Sequence, residues 1–468
     1  MSDIHKEHND IDGDLQAFQS LAQALLKAEA EEPVIEPMTA SQILDRIDLS
    51  LGKDSTDDEH LLSQLKKIIL STPRTSTNMF FNQLFGGRQS KAVLGELLAV
   101  LLNTSMYTFK VGGPQIVIEQ EILDNMARLA GYDQQSGGTI APGGSMSNLM
   151  AMIMGRDQKS PNIRKQGVRK PMTLYTSEQS HYSIPKNASF IGVGRDQIRF
   201  IKTNNKGEMD PDDLERRILL DLNEGYEPFL VNATAGTTVM GAFDPINEIA
   251  DIAYKYELWL HVDGAYCGSV LFSKQHKHLL DGVSRADSFS VNAHKMLGVP
   301  LTCSLLLVKE KAHLYESFSN TADYLYQTGN DHLNPGKVSL QCGRRNDALK
   351  FWTLWKSLGT EGLGKAVDHQ FRLAQVARDY VREHPDYELY NYDDTIAICF
   401  NYKGISAEEI CTRLYEEGEI MVGFGRFRED TFIRLITVNY ALGEEELMNF
   451  FKRLEVFVDE HILTHSEV

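Results

Sequence analysis

Two residues in the second half of the chain could together hold a cofactor that carries an aldehyde. Lys295 follows the apolar segment 288–292, and Asp263 ends a second apolar segment, 258–263. A lysine amine forms a Schiff base with an aldehyde, and a carboxylate keeps a pyridine nitrogen protonated so that the ring withdraws electrons from a substrate carbon. A lone lysine is usually a solvated charge and a lone aspartate a strand-end cap, but the pair predicts a pyridoxal 5'-phosphate (PLP) site.

A glycine-rich segment upstream could hold the phosphate of such a cofactor. Residues 143–147 read Gly-Gly-Ser-Met-Ser and precede a helical run. Backbone amides at a helix N-terminus bind phosphate, and the helix dipole favours its charge. By itself, the segment is equally typical of an ordinary strand-to-helix turn.

Seven motifs, in order along the chain, place these residues in a known context. They resemble the group II PLP-dependent amino-acid decarboxylases, above all the branch that includes glutamate, cysteine sulfinate and aspartate decarboxylases. The resemblance runs from about residue 80 to the C-terminus. The motifs are Phe80-Phe-Asn-Gln-Leu-Phe85, Pro142-Gly-Gly-Ser-Met-Ser-Asn148, Thr176-Ser-Glu-Gln-Ser-His-Tyr-Ser183, Asn232-Ala-Thr-Ala-Gly-Thr-Thr238, His261-Val-Asp263, His294-Lys295 and Gln341-Cys-Gly-Arg344.

The resemblance implies a set of cofactor residues and a reaction, loss of the α-carboxylate followed by reprotonation of Cα. Lys295 and His181 would be catalytic, with the His181 ring stacked on the cofactor. A loop tyrosine that many family members use as proton donor is replaced here by Leu333, so we hypothesise that His181 or a water takes that role. The residues implied to bind PLP are Ser145, Met146, His181, Thr237, Asp263, Ala265, His294 and Lys295.

An arginine inside an apolar segment is a candidate for binding the substrate. Arg434 falls inside an apolar strand, where an unpaired charge is costly, so it needs an anionic partner. A structural carboxylate would satisfy it, but the position resembles the family's arginine that grips a substrate carboxylate, for which a planar guanidinium is suited. The resemblance adds four substrate-binding candidates, which are Gln83, Phe85, Ser105 and Tyr107.

The type of substrate follows from the same comparison. Phe85, Ser105 and Tyr107 match the cysteine sulfinate and aspartate end of the branch, and a bulky Phe85 would shorten the pocket. We therefore expect conversion of aspartate to β-alanine first and of cysteine sulfinate to hypotaurine second. Glutamate, 2,4-diaminobutyrate and aromatic amino acids stay open, because one methylene is worth only about 1–3 kcal/mol in a pocket. An inactive PLP-fold binding protein is the alternative of another class.

Several positions depart from the family pattern. Lys110 stands where an acidic residue is usual, and Gly112-Gly113 replaces a more apolar segment. Gly264 replaces an alanine, and Ala293 replaces a proline. We expect these departures to affect the shape of the pocket rather than the cofactor chemistry.

The elements that must position these residues are those of an α/β protein. Helical segments alternate with short apolar runs such as 229–232, 258–262 and 304–308, which indicates a mostly parallel sheet buried on both faces. The resemblance implies PLP-dependent transferase fold type I, like aspartate aminotransferase, with a seven-stranded sheet. We expect a helical N-terminal segment (1–91), a large PLP-binding domain (92–358) and a small C-terminal α+β domain (359–468). In the small domain, Ser406 with Glu409 is predicted to form the capping box of a helix.

Composition limits the partners and the compartment. The 468 residues include 47 Lys and Arg against 65 Asp and Glu, a net charge of −18, which disfavours nucleic acid. The N-terminus lacks the pattern of a secretory signal, no apolar run is long enough to span a bilayer, and five scattered cysteines indicate no disulfide framework. We expect a cytoplasmic protein with no metal and no membrane partner.

A homodimer is expected as well. Apolar residues repeat at helical spacing from Leu15 to Leu25 on an otherwise polar helix, so this stripe needs a partner surface. The resemblance implies an obligate homodimer whose active sites are shared between the subunits.

Overall fold

The computed structural model describes residues 10–320 and 331–463. Its α-helices lie on both faces of a large sheet and on one face of a smaller one. In chain order, α1 to α15 are Ile11–Glu31, Ala40–Arg46, Asp58–Ser71, Ser90–Leu102, Phe109–Gly112, Pro114–Ala130, Gly144–Lys159, Ile163–Gln166, Ser183–Phe190, Pro211–Asn223, Ile246–Lys255, Ala312–Phe318, Ala348–Glu383, Ala407–Glu417 and Glu444–Phe457. None of these helices is both long and apolar enough to cross a membrane, in the part of the chain that is described.

The large sheet has seven strands and confirms the predicted fold type. Strands β2 to β6 run parallel and β7 is antiparallel to both of its neighbours, in the order β1-β7-β6-β5-β4-β2-β3. β4 to β7 are almost wholly buried, as the apolar runs 229–232, 258–262 and 304–308 predicted for β4, β5 and β7. In chain order, β1 to β7 are Gly137–Ala141, Met172–Ser177, Ile198–Ile201, Glu227–Thr234, Trp259–Gly264, Ser288–Asn292 and Ser304–Val308.

Three neighbouring strands of this sheet end at one edge, where the candidate site lies. Thr234 on β4 pairs with Asp263 on β5, which in turn pairs with Ser290 on β6. Ligands of open α/β sheets bind beyond the carboxyl ends of such strands. Asn232, the first residue of the motif Asn232–Thr238, lies inside β4 and donates to the Thr176 hydroxyl at 3.0 Å.

The C-terminal part forms a second sheet with a separate core. Strands β8 to β11 are arranged in the order β10-β11-β9-β8, all antiparallel. The helix cap predicted at Ser406 is present, because its side chain accepts from the Glu409 amide. Helix α13 is interrupted at Gly359, whose φ of 68° lies in the left-handed region, at the boundary we assigned between the large and small domains. The division into three domains stays a prediction. In chain order, β8 to β11 are Tyr387–Leu389, Ala397–Tyr402, Gly423–Phe427 and Asp430–Ile436.

The N-terminal helices attach to this second unit through the linker after α1. Val34 joins the core of the small sheet, and the Ile35 amide donates to Gly418 O at 3.1 Å. The predicted stripe on α1 is only partly covered, since Leu15 and Phe18 are 45% and 48% exposed. Large apolar groups are therefore left in contact with solvent in the single chain.

Replacing Gly264 with alanine is expected to lower the free energy of unfolding by about 1–3 kcal/mol, because overpacking a dense core forces neighbours to move. A methyl group at Gly264 would lie 2.4 Å from Phe289 Cε2 and 2.8 Å from the Ser290 carbonyl oxygen. Urea denaturation measures the change. Gly52→Ala is the control, because its new methyl group would meet nothing closer than 3.6 Å; equal stability of the two variants would contradict the prediction.

Candidate active site

A cavity of about 200 Å³ lies at the carboxyl ends of β4, β5 and β6 and at the start of α7. It brings together five of the residues predicted from sequence: Ser145, His181, Asp263, Ala265 and Lys295. Its remaining lining residues are Gly144, Asn148, Tyr182, Thr234, Gly236, Thr238, Tyr266 and Asn292.

Lys295 projects into the cavity from the turn that follows β6. Its amide donates to Asn292 O at 3.1 Å, which fixes the turn, and its Nζ lies 5.9 Å from the centre of the Tyr266 ring. Burial lowers the pKa of the Lys295 amine, although the nearby Asp263 carboxylate acts in the opposite direction. A lowered pKa increases the neutral fraction of the amine, the form that attacks an aldehyde.

Asp263 lies across the cavity and is held by three donors. Its Oδ2 accepts from Asn148 Nδ2 at 2.7 Å, and its Oδ1 accepts from the Ala265 amide at 3.0 Å and from the Ser290 hydroxyl at 3.4 Å. The side chain is only 4% exposed in total. A buried carboxylate with donors on both oxygens is held in one orientation, so it can face a cationic ring nitrogen.

The start of α7 offers backbone donors to an anion. Gly143, whose φ is 128°, precedes the helix and supplies no side-chain cap for its first turn. A side chain at Gly144 would lie 3.0 Å from Asn292 Nδ2 and 3.1 Å from Ala265 Cβ, so glycine keeps this wall of the cavity open. Asn292 Oδ1 accepts from the Ser304 hydroxyl at 2.6 Å, which leaves Nδ2 as the group on the cavity side. Together these groups fit a phosphate.

His181 lines the cavity from the segment before α9. Its Nδ1 accepts from the Ser183 amide at 3.2 Å and lies 2.8 Å from the Ser183 hydroxyl. The proton of the neutral ring therefore sits on Nε2. Burial lowers the pKa of His181, against the effect of the Asp263 carboxylate.

Three other predicted cofactor residues lie behind the cavity wall. Met146, on the first turn of α7, is half-buried and packs against the core. Thr237 is fully buried and its hydroxyl accepts from the Ala242 amide at 3.0 Å, so Thr238, rather than Thr237, lines the cavity. His294 accepts from the Cys303 amide at 2.9 Å, and burial lowers its pKa to about 4. These three support the wall, and their direct contact with a cofactor stays a prediction.

Arg434 is placed next to the cavity by β11. Its Nη1 donates to the carbonyl oxygen of Thr238 at 2.8 Å and its Nη2 to that of Asn82 at 2.9 Å, while Nε is buried and has no hydrogen-bond partner among the described residues. Two backbone carbonyl oxygens thus position Arg434, rather than the structural carboxylate that we considered from sequence. The positive charge of Arg434 is close enough to Lys295 and Tyr266, which line the cavity, to act toward a lower pKa of each.

The other four substrate candidates do not line the cavity of the single chain. Gln83 is exposed, and the Phe85 ring packs 6.1 Å from that of Phe80. The Ser105 hydroxyl accepts from the Arg344 amide at 3.3 Å, and Tyr107 O accepts from the Gly336 amide at 3.0 Å. Their contact with substrate would need another surface to bring them in, and it stays a prediction.

The family departures also lie outside the cavity wall. Gly113 has φ 51° and ψ −128°, a conformation that favours glycine, and a methyl group at Gly112 would lie 2.6 Å from Ile116. The Ala293 amide donates to Cys303 O at 3.0 Å, a bond that a proline could not form. Lys110 is exposed. Local backbone and packing requirements thus account for the two glycines and for Ala293.

The structure describes part of the segment in which many family members have the proton-donating tyrosine and this chain has Leu333. Leu333 ends the short 3-10 turn Asp331–Leu333, and the preceding His332 O accepts from Gln120 Nε2 at 2.6 Å. Gly329 and Asn330, which precede this turn in the sequence, lie outside the described residues. Leucine has no exchangeable proton, so a proton donor must come from another residue or from water.

Sequence reasoning missed several lining residues, above all Asn148, Thr234 and Tyr266. The hydroxyl groups of Thr234 and Tyr266 are buried and have no hydrogen-bond partner among the described residues. Asn148 stands four residues after Gly144, on the same face of α7, a spacing that could have indicated it. Unpartnered polar atoms around a cavity with a lysine, a carboxylate and a phosphate cradle fit PLP, which has polar groups around its ring.

The fold and this site together define a PLP-dependent enzyme of fold type I. The model of the pyridoxal-dependent decarboxylase conserved domain matches residues 41–403. Cysteine sulfinic acid decarboxylase of Mus musculus is 35% identical over 95% of this chain and 97% of its own length. Acidic amino acid decarboxylase GADL1 of Homo sapiens is 35% identical over 91% of this chain and 87% of its own.

Solved structures agree with the family match. The crystal structure of mouse CSAD is 34% identical, with a TM-score of 0.88 over 94% of this chain and 98% of its own. Oryza sativa TDC with PLP and tryptamine is 24% identical, with a TM-score of 0.89 over 97% and 99% of the two chains, and supports the fold alone. The chain belongs to the pyridoxal-dependent decarboxylase family and is a PLP-dependent amino-acid decarboxylase.

Proposed function

We propose that the chain removes the α-carboxylate of a short acidic L-amino acid. The observation that carries this proposal is Arg434, whose guanidinium lies beside the cavity with one buried nitrogen that has no hydrogen-bond partner among the described residues. A planar cation in this position suits a substrate with a second acidic group. The similarity to cysteine sulfinic acid and acidic amino acid decarboxylases supports the same class of substrate.

The residues around the cavity would hold PLP by complementary charge. The Lys295 amine would bind the aldehyde, Asp263 would face the pyridine nitrogen, and the first amides of α7 with Asn292 Nδ2 would bind the phosphate. When bound, PLP supplies a protonated ring that accepts the electron pair left as CO₂ departs. Asp263 favours this step because its negative charge holds the proton on the ring nitrogen.

His181 is our candidate for delivering the proton to Cα, since Leu333 cannot. Its proton sits on Nε2 because Nδ1 accepts from the Ser183 amide. We expect His181→Phe, which retains a flat ring, to lower kcat by at least about 10²-fold, the smaller end of general acid effects. Single-turnover and steady-state rates measure this. Tyr182→Phe, at the neighbouring and more exposed ring, is the comparison; full turnover in His181→Phe would exclude His181 and leave water as the donor.

Arg434→Lys is expected to raise KM for an acidic substrate by roughly tenfold or more, because a lysine cannot reproduce a planar, bidentate contact. The change in kcat should be smaller if the guanidinium binds substrate and transition state alike. The matched control is Arg426→Lys on the neighbouring strand β10, where the side chain is exposed. An unchanged KM in Arg434→Lys would show that Arg434 has a structural role only.

The substrate is tested by CO₂ release from the PLP-loaded protein. The panel contains aspartate, cysteine sulfinate, glutamate, 2,4-diaminobutyrate and an aromatic amino acid. We place aspartate first because Phe85 would shorten the pocket, and cysteine sulfinate next, a substrate that the relatives' names favour. Comparable turnover of glutamate would overturn the ranking, a keto acid product would indicate an aminotransferase, and no product from any substrate would favour an inactive binding protein.

We also propose a homodimer that shares its active sites. Helix α4 leaves a series of aliphatic side chains exposed, including Val100 at 56% and Leu101 at 54%. Contiguous apolar surface of this kind usually marks an interface. A second copy could also supply the four substrate candidates that lie outside the cavity. Sedimentation should show a dimer, and Leu101→Glu should weaken it.

We also propose a cytoplasmic location. All five cysteines are free, as expected for that location.

A further inference from the structure

Asn148 occupies the centre of a buried hydrogen-bond network beneath the cavity. The residue is 1% exposed. Its Nδ2 lies 2.7 Å from Asp263 Oδ2 and 3.1 Å from the Ser183 hydroxyl, and its Oδ1 lies 3.0 Å from His261 Nε2. Both hydrogens and the oxygen of this side-chain amide are therefore hydrogen-bonded, and the two hydrogens lead toward the predicted Asp263 and His181.

Which atom donates in each hydrogen bond follows from which of the two atoms can carry a proton. The Asp263 carboxylate can only accept, so the amide nitrogen must face it and Oδ1 must face His261. His261 Nε2 then donates and carries the ring proton. Burial lowers the pKa of His261 to about 4, so the ring is neutral and its Nδ1 accepts. The Ser288 hydroxyl, 2.9 Å from Nδ1, donates to it and accepts from Trp259 Nε1 at 2.9 Å.

The network continues in the same direction to His181. The Ser183 hydroxyl accepts from Asn148 and therefore directs its own proton to His181 Nδ1, 2.8 Å away. At one end, the buried indole of Trp259 donates to the Ser288 hydroxyl, so this hydroxyl directs its own proton to His261. The tautomer of His261 then fixes which end of the Asn148 amide faces it. Asn148 in turn presents one hydrogen to the carboxylate and one to the serine. A chain of this kind has a single consistent set of donors.

We infer that Asn148 is a positioning residue that holds Asp263 ionised and His181 protonated on Nε2. This inference rests on the proposed roles of Asp263 and His181. Replacing Asn148 with the isosteric aspartate removes both donors and places a second carboxylate beside Asp263. Two adjacent carboxylates cannot both stay charged, so the pair would share one proton and Asp263 would no longer be held as a full carboxylate against a cationic ring. The Ser183 hydroxyl would also lose the donor that orients it toward His181.

The test measures PLP affinity in Asn148→Asp and in a matched control. Asn391→Asp is suitable because Asn391 is also buried in a full set of bonds, to Thr395 and to the Cys399 amide at 3.0 Å, but lies in the small domain. We expect the Kd of PLP to rise roughly tenfold or more in Asn148→Asp, the value of a lost charge-assisted hydrogen bond, and to be unchanged in Asn391→Asp. Equal affinity in Asn148→Asp and the wild type, or equal weakening in both variants, would overturn the inference.

A second measurement needs no substitution. In full-length, PLP-loaded protein with ¹⁵N-labelled histidine, His261 and His181 should both show a proton on Nε2 and an unprotonated Nδ1 at neutral pH. A proton on Nδ1 of either ring would contradict the network even if Asn148→Asp failed to fold. Because the histidine signals do not depend on turnover, this outcome is distinguishable from failure of the proposed substrate.

Discussion

Replacing Lys295 with alanine is expected to abolish CO₂ release from every amino acid in the panel. Among the described residues that line the cavity, Lys295 alone has an amine that could bond to the aldehyde of PLP, and burial lowers the pKa of this amine toward the reactive neutral form. Reduction of the wild-type protein with borohydride should fix the cofactor on Lys295, as seen by peptide mass. The variant should carry no such modification.

The Lys295→Arg variant distinguishes the effect of losing the positive charge from the effect of losing the covalent bond to PLP. An arginine retains the positive charge near Asp263 but is not expected to form the bond, so this variant should be as inactive as the alanine variant. Circular dichroism should show that both variants are folded. Substantial CO₂ release by either variant, or borohydride labelling of another lysine, would show that Lys295 is not the attachment site.

The second large effect is expected for Asp263→Asn, which leaves the shape of the side chain almost unchanged but removes its charge. Breaking a buried charge pair costs about 3–5 kcal/mol, which corresponds to roughly 10²–10⁴-fold in rate at 1.36 kcal/mol per factor of ten. We expect this loss mainly in kcat, because the ring nitrogen must stay protonated while the electron pair is delocalised, and a weaker Kd for PLP. Steady-state kinetics at saturating PLP separate the two effects.

Replacing a buried aspartate outside the cavity is the control for the loss of stability that the substitution itself causes. Asp213 is 5% exposed, accepts from the Lys202 amide at 3.1 Å and lies on α10, which takes no part in the cavity wall. Asp213→Asn should lower stability without a comparable loss of kcat at a temperature where the protein is folded. If Asp263→Asn retained near wild-type kcat, a carboxylate on the ring nitrogen would not be required.

The chemistry of the site could be predicted from sequence because it depends on residue types at strand ends. Lys295 and Asp263 each follow an apolar run, and parallel strands bring such ends to one edge, where the cavity is found. The helix cap at Ser406 and the buried central strands were predicted for a similar reason, since local patterns determine them. Motifs in family order added the reaction type.

Contacts between distant segments could not be predicted in this way. Asn148 meets Asp263 and His261 only because α7 packs over β5, and Arg434 reaches the cavity only because β11 lies beside the loop at Thr238. Thr237 was chosen over Thr238 because a motif gives the segment but not the direction of each side chain. Sequence by itself thus determined the family and the cofactor, and it predicted the lysine and the aspartate that we propose as charged partners of that cofactor, because these follow from local patterns. The tertiary structure decided which side chains face the cavity, because facing depends on packing between elements far apart in the chain.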